Sequence, residues 1–559
     1  MKLKTIFALV LALMFVFCSC TQTTNTETDV PSTDTPVEES TTDETDEPEY
    51  EFATLTIGVP THATITTFDS GRNLFTKYLE DTLNLKLEFV YFPTNANDYL
   101  RQIALMASSP NIKFPDLLMG FYDISDNLRN SYGQEGYFVD ISQYMEYLPN
   151  MTAAIENAPE DVQSRIKFRM YDTNGAAYGA PTFFSVSAVD DLANMMWINK
   201  EWLDNLGLEV PTTVEELHDV LVAFRDNDCN GNGIDDDEYP LYGSSITICD
   251  FIVNAYVHMD GAYPFNVEDG QLTHFAQTDA YREALKVLNQ WYKEKLIAPY
   301  TFTTANNNEA KQIITPNSNI AKVGVWNGHP ALAATQTNPI LSEYVALAPL
   351  EAETETGGYI ALREKRLWFK SIITTDCKNI EAACRLIDAF FTDTVATCQR
   401  HGIEGLDWER GEGENMYGDT DAYVKVLNSN AFFKGGETWG REVAGCLTSQ
   451  NYFALTNVEN EYDVTMNRLL GEQLDIIEVA RYPEESCMEL SYSNEDYETR
   501  GVYEAAVGPW MRKYNTYFIT GEKDPNSDED WKEFQDGLTT NKIEEYTELM
   551  QKVYEENKR

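Results

Sequence analysis

Between Glu51 and Asp123 the sequence holds EFATLTIGVP (Glu51–Pro60), LKLEFVYF (Leu85–Phe92) and PDLLMGFYD (Pro115–Asp123), and these stretches decide the fold. The first alternates and then turns apolar, as an opening strand does, and the other two read as a second strand and, over Pro115–Phe121, a third. A helix runs through Phe75, Tyr78 and Leu79, and another covers Tyr99–Ala107. Strand, helix, strand, helix, strand implies a parallel α/β lobe. In such sheets ligand groups sit on loops at the carboxyl ends of strands, so the loops after Val59 and Gly120 are the first candidates.

Further along, GAPTFFSV (Gly179–Val186) carries Gly and Pro and then two aromatics, which suits a crossing between lobes. MMWIN (Met195–Asn199) reads as a strand, and the helix after it stops at Gly207. Thr213 and Glu216 have capping-box spacing and open the next helix. Ala280–Leu296 and Asn379–Phe391 read as helices, Asn319–Trp326 and Leu367–Thr374 as buried strands, and no internal repeat is visible.

The chain has 559 residues, too many for one ordinary core, with 43% hydrophobic and 12% aromatic residues, as a packed protein has. Asp plus Glu number 91 against 41 Lys plus Arg, a formal charge of −50 that repels phosphate backbones and argues against nucleic-acid binding. Lys2 and Lys4 precede the twelve apolar residues Ile6–Phe17, the length of a secretory signal and too short to span a bilayer. Ser19-Cys20 resembles a lipoprotein lipobox, although Phe17 stands where Leu is usual. Residues 1–19 then form the signal peptide, and Cys20 carries a lipid whose acyl (palmitate-type) chains hold the protein on the outer face of the bacterial cell membrane. Residues 20–50 are Thr, Ser and Pro with ten acids and no base, an extended tether. Seven cysteines remain in the folded part, an odd and scattered set that reads as buried free thiols.

Six segments together resemble the extracellular solute-binding lipoproteins of ABC importers, in particular their sugar-binding, long-chain, calcium-containing branch. They are WINKEWLDNLGLEVPTTVEEL (Trp197–Leu217), DCNGNGIDDDEYP (Asp228–Pro240), YREALKVLNQWYKEKLIAP (Tyr281–Pro299), KNIEAACRLIDAFF (Lys378–Phe391), HGIEGLDWE (His401–Glu409) and FITGE (Phe518–Glu522). The resemblance implies a type II periplasmic-binding-protein-like clamshell of class α/β, each lobe a mainly parallel sheet flanked by helices. The expected allocation is 51–180 plus about 320–372 in the N-terminal lobe and 181–319 plus about 373–559 in the C-terminal lobe. It implies a monomer that is not an enzyme and that closes on a carbohydrate, usually an oligosaccharide, and delivers it to an ABC permease. The rival readings are a surface glycoside hydrolase and a solute-binding receptor or adhesin on the same fold.

Asp228, Asn230 and Asn232 fall at steps of two, with Gly231 and Gly233 between and after them and four acids behind. Calcium takes about six to eight hard oxygens, and a loop can wrap alternate side chains around it only if glycines take the positive-φ turns. The resemblance implies a structural Ca²⁺ held by Asp228, Asn230, Asn232 and the carbonyl of Ile234, completed by an Asp-Glu pair. That pair, Asp237 and Glu238, lies one residue later than the family pattern. Either the loop bulges or Asp236 and Asp237 serve instead, and a start at Asp226 also satisfies the EF-hand glycine rule.

A sugar presents apolar C–H faces and a ring of hydroxyls, so its site needs aromatic platforms edged by polar groups. By topology the candidates are Phe121, Tyr122 and Asp123 after the third strand, Phe183 and Phe184 at the crossing, Trp326 and Asn327, Trp368, and Trp439 in GGETWGRE. Trp202, Trp291 and Trp531 occupy helical positions expected in the core, and His62 follows the first strand as a lone candidate hydrogen-bonder. No HExxH, GxSxG, Walker or dinucleotide motif is present, so no catalytic residue is nominated.

Overall fold

The strand Ala53–Pro60 pairs in parallel with Leu85–Phe92 along its whole length, and with Leu117–Met119 on its other side. Leu55, Ile57 and Val59 are buried while Thr54 is exposed, the period-two signature that the sequence carried. Leu74–Leu83 and Ala96–Ser108 are the helices between these strands, each started by an asparagine side chain, Asn73 and Asn95, that accepts a backbone N–H. Leu367–Ile373 then runs antiparallel to Leu117–Met119, Ala180–Phe184 antiparallel to Leu367–Ile373, and Cys446–Leu447 parallel to Ala180–Phe184, giving six strands.

This computed structural model describes residues 50–559 except 62–66, 110, 173, 185–194, 235–236, 244, 259–263, 303–311, 315, 317–318, 329–338, 353–356, 359–366, 411–423, 428–437, 440–444, 448–460, 483–484, 486, 488–489, 491 and 558–559. The signal peptide, Cys20 and the tether lie outside the described residues, as do His62 and the side chain of Phe184. Residues 50–559 form one unit by contact.

A second sheet runs Tyr344–Leu347, Met196–Asn199, Val323–Asn327, Tyr239–Tyr242. Its first two pairings are antiparallel and only the last is parallel, so this sheet is mixed and departs from the mainly parallel expectation. The reason lies in the connections. Met196–Asn199 follows a strand of the other sheet, so no local strand-helix-strand crossover forces it parallel to its neighbours. The expected allocation also shifts. Val323–Asn327 and Tyr344–Leu347 belong to the second sheet, whereas the helix Ile380–Ala389 packs in the first core through Ala383, Cys384, Leu386 and Ile387.

In the second core Trp202 and Trp291 are buried, as expected, and Trp531 packs part-buried on the same core against Phe518 and Phe534. The helix Val214–Asp226 begins on the Thr213–Glu216 capping box and the preceding helix ends on left-handed Gly207, both as read. Gly324 is required by close approach: a Cβ there would lie 2.3 Å from the Phe224 ring of the covering helix. Three C-terminal helices, Asn494–Thr520, Asp528–Thr540 and Ile543–Asn557, complete this core with Tyr514, Phe518, Phe534 and Tyr546. Among the described residues Cys229, Cys377, Cys384 and Cys398 are buried free thiols, and Cys487 is buried with its Sγ donating to the Phe265 carbonyl.

Gly179–Val186, expected as a crossing between lobes, contains the strand Ala180–Phe184 of the first sheet; the next described strand, Met196–Asn199, belongs to the second, and Ser185 and Val186 lie outside the described residues. Pro181 is tolerated because it lies opposite a register shift: Trp368 pairs with Thr182 and Ser371 with Ala180, leaving Phe369 and Lys370 against the proline. A bulge is where a strand can do without one ladder N–H.

Candidate functional site

Gly120, at φ 83°, turns the chain as it leaves Leu117–Met119, and the next two residues diverge. Phe121 is buried against Phe92 and Tyr99, with ring centroids 5.1 Å from each. Tyr122 and Asp123 instead line a cavity of about 470 Å³. Trp368, from the bulged strand, meets the Tyr122 ring edge to face at 5.5 Å in the same wall. Beneath them Lys370, buried at 2% exposure, sets its Nζ 3.4 Å from the Tyr122 ring centroid and 4.4 Å from that of Trp368. An ammonium under two π faces stiffens both rings.

Elements of both cores face this cavity. Asp126 and the pair Phe168 and Arg169 come from the helices Asp126–Gln134 and Glu160–Met170 on the first-sheet side. Tyr492, Tyr497, Arg500 and Glu504 come from the opening of Asn494–Thr520 and the residues before it. Phe168 is 52% and Tyr497 45% exposed, so each core offers an uncovered aromatic ring to the same space. Sequence reasoning nominated none of this second group. The signal was the spacing of Tyr497, Arg500 and Glu504, which places three chemically versatile side chains on one helix face.

The charged groups are closely paired. The Asp126 carboxylate bridges Arg129 Nη1 and Arg169 Nε, both at 2.7 Å, and Arg129 is fully buried with its guanidinium 3.8 Å over the Phe369 ring. Burial alone would raise the Asp126 carboxyl, but the two guanidiniums outweigh it and hold the group below the usual carboxylate range. Arg500 Nε donates to Glu504 at 2.6 Å, and the guanidinium lies 5.0 Å from the Tyr492 ring. Asp123 accepts from the Tyr99 hydroxyl through Oδ2.

The other candidates do not reach this cavity. Phe183 is buried in the first core, 6.4 Å from Phe391. Trp439 is fully buried among Phe68, Phe75, Phe89 and Phe390, a core residue after all. Trp326 is fully buried between Trp197 and Tyr344, and Asn327 is 6% exposed at the end of its strand. Alternation explains the first and third cases, because a strand-end aromatic points inward as often as outward and the fully covered strands bury both faces. The Trp326 Nε1 and both Asn327 amide atoms lack hydrogen-bond partners among the described residues.

The acidic loop folds around its own carboxylates. Asp228 accepts the N–H groups of Asn232 and Gly233 at 3.1 and 2.8 Å, and Asn230 and Asn232 both direct their amides at Asp237. Gly231 and Gly233 take positive φ of 67° and 82°. Glu238 approaches the Asn230 N–H at 3.4 Å, and Lys322 Nζ donates to Asp237 at 2.7 Å. Asp226 is drawn away into the last helical turn by Arg225, which disfavours the alternative start. Asp236 lies outside the described residues, and the Ile234 side chain points to solvent at 51% exposure. Among the described residues no three His, Cys, Asp or Glu side chains group as a metal site, and the donor set here depends on amides joining carboxylates. Five oxygen-bearing side chains on one glycine-turned loop fit a hard cation. Burial raises the Glu238 carboxyl, and the nearby Asp237 and Asp228 add to the rise, as expected for a site with excess negative charge.

Residues 74–397 match the model of the family described as bacterial extracellular solute-binding protein. The chain is 23% identical over 504 residues to a fructooligosaccharide ABC transporter substrate-binding protein, FusA, of Streptococcus pneumoniae, covering 87% of this chain and 88% of that one. Its fold is similar to that of an HMO binding, ABC-transporter-associated solute-binding protein of Bifidobacterium longum infantis, at TM-score 0.71 and 18% identity over 90% of this chain and 98% of that one. It is also similar to an EF-hand mutant of FusA solved with fructo-nystose, at TM-score 0.68 and 20% identity over 90% and 99%. With a six-stranded and a four-stranded sheet, each packed on its own main core, and a cavity lined from both sides, the chain belongs to the bacterial extracellular solute-binding protein family and has the two-lobe type II clamshell fold.

Proposed function

We propose that this protein binds an oligosaccharide in the cavity between its two cores and delivers it to an ABC permease by closing around it. The observation that carries this is the pair of exposed rings, Phe168 from one core and Tyr497 from the other, on a cavity already floored by Tyr122 and Trp368. Aromatic faces on both sides can sandwich a sugar's C–H face, and Asp123 can accept its hydroxyls. Because the ligand touches both cores, it favours the closed form. Moving the balance from 1:99 to 99:1 needs about 5.5 kcal/mol of preference for that form. Isothermal calorimetry with oligosaccharides, followed by chromatography of the mixture, tests the reading. Stoichiometric binding with the sugar recovered intact supports it, and turnover transfers the cavity to the glycoside hydrolase reading.

The lipid anchor at Cys20, the monomeric state and the two-lobe partition, now with the strands Val323–Asn327 and Tyr344–Leu347 in the second lobe and Leu367–Ile373, Ile380–Ala389 and Cys446–Leu447 in the first, are part of the same proposal. Mass spectrometry of the mature chain checks the anchor. The acidic loop is proposed to hold one Ca²⁺ through Asp228, Asn230, Asn232, Asp237 and Glu238. When bound, the ion supplies positive charge that neutralises the clustered carboxylates. Asp228 fixes the loop by holding the N–H groups of Asn232 and Gly233, and Asp237 ties it through Lys322 to the residues leading into the second sheet. At free Ca²⁺ one hundred times the dissociation constant, the expected stabilisation is about 2.7 kcal/mol. Chelation should therefore lower the unfolding midpoint of the native protein and leave that of Asp228→Ala unchanged. Equal midpoints with and without chelator in the native protein would remove the ion from the proposal.

A further inference from the structure

We propose that the cavity selects uncharged oligosaccharides and rejects acidic, uronate-built chains; this deepens the oligosaccharide reading above and rests on it. A ligand carboxylate needs a cation that can turn toward it. Among the described residues, the cationic side chains Arg169, Arg500 and Lys370 stand at or directly behind the cavity wall, with Arg129 deeper behind Asp126 and Phe369, and each is engaged within the protein. Arg169 holds Asp126 at 2.7 Å, Arg500 holds Glu504 at 2.6 Å, and Lys370 is buried under the rings of Tyr122 and Trp368. Glu504 Oε1 also accepts from the Tyr546 hydroxyl at 3.0 Å, which holds the carboxylate in place beside Arg500.

The group that does face the cavity in the open is a carboxylate. Asp123 is exposed and uses Oδ2 to accept from Tyr99, which leaves Oδ1 for a ligand hydroxyl. An incoming uronate would meet Asp123 and Glu504 first and would have to break an arginine pair to gain a partner. Long-range electrostatics act in the same direction, because a chain of formal charge −50 lowers the local concentration of anions and slows their approach. A neutral sugar meets neither penalty. Its hydroxyls donate to Asp123 and its C–H faces lie on Phe168, Tyr497 and Trp368.

The test is calorimetry of the purified protein against two matched probe sets. One holds 1-kestose, nystose, mannotriose, cellotriose and xylotriose, and the other holds trigalacturonate and trimannuronate. The expected result is binding within the neutral set, with every acidic probe at least about 100-fold weaker and with a neutral-ligand affinity that changes less than about twofold on raising the salt through the physiological range. Asp123→Asn should narrow the neutral-to-acidic ratio by about tenfold, since it removes the repelling charge and keeps an acceptor oxygen. Acidic probes binding as well as neutral ones, or an unchanged ratio in Asp123→Asn, would overturn the selectivity while leaving the oligosaccharide reading standing. Failure of both probe sets would overturn that reading and the selectivity with it.

Discussion

Replacing Asp126 with Ala is expected to cost about 3–5 kcal/mol of folding stability, because it strands a buried guanidinium. Arg129 is fully buried, and its Nη1 has the Asp126 carboxylate at 2.7 Å while Nη2 donates to the Arg169 carbonyl at 2.7 Å. With the carboxylate gone, Arg129 and Arg169 become neighbouring like charges. The position also suits an acid for a second reason. Asp126 is the first residue of its helix, after the Ser125 cap, where the macrodipole favours negative charge. The pH dependence follows from the depressed carboxyl. A group whose folded value lies below its unfolded value of about 3.9 contributes fully above that pH and is lost as pH falls through the folded value. Denaturant unfolding at neutral pH should therefore show the large loss, and the acid limb below about pH 4 should be shallower in Asp126→Ala than in the native protein. Asp126→Asn keeps the shape without the charge and should resemble Ala. A loss under about 1 kcal/mol in both variants would mean that the two arginines find other partners.

How far the sequence reveals this molecule depends on whether the information is local. The strand Leu85–Phe92 was read to the residue because alternation and its flanking turns are local signals, and the Thr213–Glu216 cap was read for the same reason. The strand character of Ala180–Phe184 is hidden locally because Pro181 is a strand breaker unless the neighbouring strand bulges, and that bulge lies at Phe369 and Lys370, far along the chain. Half of the cavity followed from topology, since Tyr122, Asp123 and Trp368 sit at the strand ends where open sheets place ligands. The other half, Tyr497, Arg500 and Glu504, comes from a helix that returns more than a hundred residues later, and nothing local says which sheet it will face. The acidic loop needed no long-range information, because its side chains and glycines lie within eleven residues, Asp228 to Glu238. Adjacent aromatics mark the limit. Phe121 and Tyr122 differ by one alternation step, and only packing against Phe92 and Tyr99 decides which turns inward.

Trp439 and Trp368, two of the three tryptophans nominated as sugar platforms, should separate cleanly when each is cut to alanine. Trp439→Ala should lose about 3–5 kcal/mol of stability, as large aromatic deletions in cores do. Its ring contacts four phenylalanines at centroid distances of 5.5 to 5.7 Å, and its Nε1 donates to the buried Thr76 hydroxyl at 2.7 Å. That contact also anchors a distant segment to the start of the helix Leu74–Leu83, because Asn73, the cap of that helix, donates to the Thr438 carbonyl. Trp439→Phe, which keeps a ring and loses the N–H, should recover part of the loss. Trp368→Ala acts differently. It removes a half-buried ring of the cavity wall and leaves Lys370 beneath Tyr122, so the fold should persist while oligosaccharide affinity falls by about 10- to 100-fold, or about 1.4 to 2.7 kcal/mol. Unfolding curves and calorimetry on the same two variants read both quantities. A folded Trp439→Ala that has lost ligand, beside a Trp368→Ala that binds normally, would move the ligand out of this cavity and toward the first-core residues around Phe68 and Phe75.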